Sequence, residues 1–250
     1  MGIAIFFIFF PGGNTWHRNC HEFSCQLSKI FEKIVKIIPR SLSDDQKNAP
    51  SDFTRQRKLP LHRLIVFILA STCNGKGVAV DHKVSHFFTN ARRAGLWPED
   101  DKASTSAITK ARKKLPWTIL QDLLTKMANF AYENWPNHDR FSWFGLNIIA
   151  IDGSKYNLPA TQEMRQTFQP NSGLDKGKGH YPQSLVSTAY DVCRRIPVAR
   201  TVVPANGSER AEALEMLPFL PRDSVVVFDR GYPSYELFSA FESETHLDFL

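Results

Sequence analysis

Cysteine is scarce. Four in 250 residues (Cys20, Cys25, Cys73 and Cys193), irregularly spaced, exclude a disulfide scaffold and fit a reducing cytosol. His17, Cys20, His21 and Cys25 all fall within nine positions, too tight to close a tetrahedral zinc site without a second, separated ligand pair. Long apolar runs are also missing. Ile3 to Phe10 is eight residues, well short of the roughly 20 that span a bilayer. No basic residue precedes it, and Pro11-Gly12-Gly13 is not a convincing cleavage site, so no membrane partner is expected. The run reads as a start-codon artefact, a short buried strand or an anchor, poorly ordered and apart from any chemistry. No serine stands in a Gly-x-Ser-x-Gly elbow, and there is no P-loop, no dinucleotide fingerprint and no internal repeat.

What is present centres on Leu146 to Leu158. Ile148 to Ile151 is short, apolar, largely β-branched and soon followed by Gly153, the pattern of a buried strand. At its end stands Asp152, with Gly153 letting a ligand come close. Ser224 to Tyr232 repeats the design: Val225, Val226, Val227 and Phe228 deliver Asp229, followed by Arg230 and Gly231. Two aspartates ending two core strands point to a divalent-metal site, because hard oxygen ligands on rigid strands suit magnesium. The bland alternative for either aspartate is a turn or a helix cap.

Charge divides the chain. Residues 1–145 hold 21 Lys and Arg against 12 Asp and Glu, a net +9, whereas residues 146–250 hold 10 against 13, a net −3. A basic half joined to an acidic half fits a polyanion-binding part coupled to a metal-binding part. Phe23 to Ile38 has helical spacing, and Ser41 to Asp52 reads as a polar linker. A basic cluster (Arg55, Arg57, Lys58, Arg63) leads into a helix over Leu61–Thr72, and another helix spans Val78–Ala94. Ser104-Thr-Ser106 caps a basic helix through Leu115 that carries Lys110, Arg112, Lys113 and Lys114 with no acid among them. Pro116 and Trp117 break it, and Thr118–Trp135 gives one more amphipathic helix. Short helices with a basic one after a turn fit a helix-turn-helix DNA reader; a helical bundle with solvated lysines is the alternative.

From Leu146 the period becomes strand-like. Strand one is Leu146–Ile151. A Gly- and Lys-rich loop (Asn171–His180) follows, then strand two (Leu185–Val192), a Cys193-Arg194-Arg195 turn and strand three (Pro197–Val203). Ser208 caps a helix over Glu209–Leu217; strand four is Ser224–Phe228, Ser234–Glu242 is helical, and residues 247–250 open a fifth strand. The fold class is α+β, and the order β-β-β-α-β-α-β with carboxylates ending strands one and four is the ribonuclease H-like arrangement. There strands one and four run side by side and parallel, so aspartates 77 positions apart meet across about 5 Å of strand spacing. Asp191 is read as a decoy, six residues or about 20 Å away at the opposite edge. Tyr181 and Gln183 fall on the Asp152 edge. Lys155 and Ser154 sit beside Asp152 in phosphate contact or plain turn chemistry. Arg230 either contacts a phosphate or pairs with a carboxylate. His180, Lys176 and Lys178 track DNA or form a solvated loop.

Asp152-Gly-Ser, Tyr181-Pro-Gln-Ser with Ala189-Tyr-Asp-Val192, and Asp229-Arg-Gly-Tyr232 with Ser234-Tyr-Glu-Leu237 together resemble the DDE transposases of bacterial insertion sequences. The likeness is to the group whose late motif holds Tyr, Arg, Glu and Lys. Phe53-Thr-Arg-Gln-Arg-Lys-Leu-Pro60 and Ser106 to Leu115 resemble that group's helical DNA-binding region, so the resemblance covers about residues 50–250. It implies that Asp152 and Asp229 are the first two members of a catalytic triad binding Mg2+ or Mn2+. It also implies double-stranded DNA at element ends as partner, a homodimer on paired ends, and a bacterial, cytoplasmic, nucleoid-associated protein. The family's third member is a glutamate on a helix far downstream. Glu236, Glu242 and Glu244 come too early, so the reading is of a transposase front part lacking that carboxylate and the late motif. Residues 1–50 are then an extension (poorly ordered or helical), 51–145 a helical DNA-binding region, and 146–250 the start of the catalytic domain. A non-catalytic DNA-binding regulator or an inactive element remnant is the rival reading.

Overall fold

The structure is a computed structural model and describes residues 33, 36–54, 59–72, 79–93, 103–135, 141–168, 181–243 and 247–249. The chain divides into two compact units, Met1–Met127 and Ala128–Leu250. Among the described residues no helix is long and apolar enough to cross a membrane. The stretches Ile3–Phe10, His17–Cys25 and Asn171–His180 lie outside the described residues, as do Arg57, Lys58 and most of the helix expected over Phe23–Ile38.

The first unit is helical. Helices α1 (Leu61–Thr72), α2 (Val80–Arg93) and α3 (Thr105–Lys114) close on a core of Leu64, Phe67, Val84, Phe87, Phe88, Ala91, Ala103 and Ile108. Each of the larger apolar side chains, the alanines apart, contributes about 1.5–3 kcal/mol when taken out of water. Phe67, Phe87 and Phe88 add edge-to-face ring contacts at 5.2 and 5.6 Å between centroids. Ser104 is the N-cap of α3, its hydroxyl accepting from the Ala107 N–H at 3.2 Å. Helix α4 (Thr118–Asn134) begins after Pro116 and Trp117.

The stretch read as a polar linker is folded. Leu42 is buried with Leu61, Ile65, Ile119 and Leu123, and a short 3-10 turn spans Asp44–Gln46. Asp52 is 3% exposed; its carboxylate accepts from the Ala49 N–H at 3.1 Å and pairs with Lys114 at 2.7 Å. The polar composition hid this packing because a single leucine and one paired aspartate carry it.

The second unit is a mixed five-stranded sheet in the order β3-β2-β1-β4-β5. The strands are β1 (Asn147–Asn157), β2 (Gln183–Asp191), β3 (Ile196–Pro204), β4 (Ser224–Phe228) and β5 (Leu247–Phe249). Helix α5 (Gln162–Phe168) lies between β1 and β2, α6 (Glu209–Met216) between β3 and β4, and α7 (Tyr235–Ser243) between β4 and β5. Strand β2 is antiparallel to β1 and β3, while β4 is parallel to β1 and β5. Helix α5 is missing from the order expected from sequence. Its seven residues bury no side chain, so they present no apolar stripe to read.

Ile149, Ile151, Val226 and Phe228 share one sheet face and pack against Ala213 and Met216 of α6 and Leu237 and Phe241 of α7. This core fixes the β1/β4 register that brings the aspartates level, because a slip of one residue would turn one strand's apolar side chains outward.

Candidate active site

Strand β1 aligns with β4 from Asn147↔Ser224 to Ile151↔Phe228. Asp152 and Asp229 are therefore the next residue on each of two adjacent parallel strands, about 5 Å apart in backbone. Both side chains are exposed. The meeting expected from sequence is present, with one difference: β1 does not end at Asp152. Gly153 to Asn157 continue as a ribbon on β2, which is itself paired with β3, so Asp152 stands where the parallel ladder with β4 stops. The ribbon residues are polar and carry no strand signal; pairing with β2 holds them.

The turn after β4 is tightly held. The Asp229 carboxylate accepts from the Arg230 N–H, and the Tyr232 N–H bonds back to the Asp229 carbonyl at 3.0 Å. Tyr232 then folds inward, 2% exposed, its ring stacked on Phe228 at 5.2 Å. Its hydroxyl is pushed up to about 12, first by burial, then by the negative charges of Glu209 and Asp152, by hydrogen bonding toward Glu209, and by Asp229. That hydroxyl makes no hydrogen bond of good geometry among the described residues, although Glu209 stands within reach.

Sequence reasoning missed the contribution of α6. Ser208 caps this helix through the Ala211 N–H, and its first two residues then grip both aspartate-bearing segments. Glu209 lies on Gly153: a Cβ there would meet its Cδ and Cγ at 2.8 Å and Oε1 at 3.0 Å. Gly153 therefore makes room for Glu209, where the sequence had suggested room for a ligand. Arg210 donates from Nε at 3.0 Å and Nη2 at 2.7 Å to the Gly231 carbonyl. One signal was available. Strand β3 follows two antiparallel reversals from β1, so a helix starting at its end starts at the Asp152 edge.

The other expected residues spread out. Lys155 is exposed on β1, three positions past Asp152 and so on the opposite pleat. Arg230 is exposed directly after Asp229. Tyr181, 61% exposed, lies beyond Gln183, which pairs with Asn157 at the far end of the ribbon and donates to its Oδ1 at 2.7 Å. The structure thus sets Tyr181 and Gln183 five or more positions, about 16 Å or more, from Asp152. Asp191 is nearer than expected. It pairs with Ile149, three positions from Asp152 or about 10 Å, because β1 runs on past Asp152.

Asp191 is nonetheless structural. It is fully buried, accepts from Tyr132 Oη at 2.8 Å and from the Arg194 N–H at 2.7 Å, and pairs with Arg194 Nη1 at 2.9 Å. Arg194 also reaches Asn147 Oδ1 and the carbonyls of Trp135 and Phe141, and stacks over the Tyr132 ring at 4.5 Å.

In the helical unit, Lys110, Arg112 and Lys113 are exposed on α3. Three cations in its last turn suit the negative end of the helix dipole. Lys114, expected to touch DNA, is engaged by buried Asp52.

Asp152 and Asp229 are hard oxygen donors open to water, a set that suits Mg2+ or Mn2+ keeping several waters of their own. Among the described residues no group of three or more His, Cys, Asp or Glu side chains is placed to hold a metal ion.

Comparison with known proteins bears on this geometry. Residues 143–250 match the family model described as the transposase DDE domain. The chain is 25% identical over 193 residues to the protein named Transposase InsG for insertion sequence element IS4 of Escherichia coli strain K12, covering 75% of this chain and 40% of that protein. It is 26% identical over 133 residues to InsZ of the same strain, provisionally named a transposase, covering 53% of this chain and 44% of InsZ. Less than half the length of either relative is thus matched. The segment that brings Asp152 beside Asp229 is thus the one that matches the transposase DDE domain, and the chain is similar to transposases of insertion sequences.

Proposed function

We propose that this chain takes part in metal-dependent cleavage and transfer of DNA strands, as a transposase of the insertion-sequence type. The observation carrying the reading is the Ile151↔Phe228 register, which puts Asp152 and Asp229 side by side at the end of a ribonuclease H-like sheet order. They are the residues that would hold a divalent cation. When bound, such a cation activates a water or 3′-hydroxyl and stabilises the leaving oxygen of a phosphodiester. The chain's own contribution is a rigid parallel strand pair that keeps two exposed carboxylates together, and a turn fixed by Arg210 that keeps Asp229 in place.

The partner is double-stranded DNA at element ends, bound electrostatically by residues 51–145 through Arg57, Lys58, Lys110, Arg112, Lys113 and, where Asp52 leaves it available, Lys114. Lys155, Tyr181 and Arg230 are the candidates for contact from residues 146–250. A homodimer on paired ends and a nucleoid-associated, cytoplasmic location go with this reading.

Incubating the full chain with supercoiled plasmid tests it. With the third carboxylate of the resemblance lacking, the expected outcome is salt-dependent DNA binding and only faint nicking, which needs Mg2+ or Mn2+ and disappears in Asp152→Asn. DNA binding should persist in that variant and weaken with salt. Salt-dependent binding without cation-dependent nicking would instead favour a non-catalytic DNA-binding regulator, and absence of both would remove the transposase reading.

A further inference from the structure

Three features converge on the helix side of the aspartate pair, and neither strand supplies them. The first is Glu209 itself, the first residue of α6, packed so closely on Gly153 that no side chain fits between. The second is the Tyr232 hydroxyl, 2% exposed and facing Glu209, Asp152 and Asp229 without a well-formed hydrogen bond among the described residues. The third is a row of hydroxyls across the sheet. Gly153 is opposite Ser187, and Ser187 is opposite Thr201. Ser187 Oγ and Thr201 Oγ1 are both buried with no hydrogen-bond partner among the described residues, and cross-strand neighbours lie on one face, the face Glu209 covers at Gly153.

Unpartnered hydroxyls inside a protein cost about 1–3 kcal/mol each. These hydroxyls gather beside Glu209 where, among the described residues, Asp152 and Asp229 also meet, and mark a polar site. Gly153 and Arg210 explain how it is built. Gly153 lets Glu209 approach the Asp152 backbone, and Arg210 ties the same helix turn to Gly231, two residues past Asp229. One helix turn thus registers both aspartate-bearing segments against a third negative charge.

We propose that Glu209 is a positioning carboxylate of the cation site, acting from the helix side on the water shell of a divalent cation held by Asp152 and Asp229. The inference rests on the cation reading above. An outer role accords with the absence, among the described residues, of three carboxylates gathered as direct ligands, and with the reluctance of Mg2+ to shed its waters.

The test is Mn2+ binding by the full 250-residue chain without DNA, followed through loss of the free Mn2+ paramagnetic resonance signal. Glu209→Gln should weaken affinity about 10–100-fold, the usual cost of losing an outer-shell partner, while leaving the melting temperature of the cation-free protein unchanged. Gly153→Ala keeps every carboxylate yet pushes Glu209 aside, so it should weaken binding in the same direction; it decides the matter should Glu209→Gln fail to fold. Glu215→Gln, exposed on the same helix, should bind as the parent does. Parent-like affinity in both Glu209→Gln and Gly153→Ala, with Asp152→Asn impaired, overturns the role of Glu209 alone. Parent-like affinity in Asp152→Asn, or no binding by the parent chain, overturns the cation site and this inference with it.

Discussion

One sheet carries aspartates in two opposite conditions. Asp191, ending β2, is fully buried, and Tyr132, Arg194 and a backbone N–H occupy its oxygens. Asp152 and Asp229, where β1 and β4 part, are exposed and lie next to one another. Residue type is the same; what differs is who answers the charge. A buried carboxylate must be neutralised by the protein or the fold fails. Two exposed carboxylates brought together raise like-charge repulsion that nothing in the fold requires, and arrangements that oppose local stability gather at functional sites.

The first way to break this contrast is at Asp191. Asp191→Ala leaves Arg194 buried and uncompensated, and should cost about 3–5 kcal/mol in chemical denaturation, the largest effect of any substitution named here. A cost near that of an ordinary surface change would mean the network is not the clamp its geometry implies.

A smaller effect belongs to Tyr132. Burial, the Asp191 charge and the hydrogen bond to Asp191 raise its hydroxyl well above 10, with Arg194 opposing. A raised folded-state value means the contribution is complete below about pH 10, the unfolded tyrosine's range, and is lost as pH rises above it. Tyr132→Phe should therefore cost about 1.5–3 kcal/mol at neutral pH, and the gap to the parent should narrow above pH 10 in denaturation curves taken across that range. A gap independent of pH would remove the charge-linked part of the account.

Much of this contrast was legible before any coordinates. Leu61–Thr72 and Ser224–Phe228 appear with the limits their apolar periods set, Ser104 and Ser208 cap the helices they precede, and the parallel pairing that joins Asp152 to Asp229 follows from element order. The losses have physical causes. The polar half of β1 is held by its partner strand, so its own residues do not announce it, and that hid how near Asp191 comes to Asp152. Helix α5 buries nothing, Asp52 is buried by virtue of a lysine 62 positions away, and Glu209 acquires its place from the way α6 packs over β1. Tertiary contact creates each of these, and no local period records it.

The central claim is that, among the described residues, no cationic side chain pairs with Asp152 or Asp229, which leaves their charge for a metal ion to answer. Thermal unfolding of the full chain with and without Mg2+ tests it most directly. Without cation, the Asp152→Asn/Asp229→Asn double variant should match the parent within about 0.5 kcal/mol, as exposed positions do. With Mg2+ in excess the parent should gain stability in proportion to site occupancy, and the double variant should gain none. An equal gain in both, or none in the parent, would contradict the account.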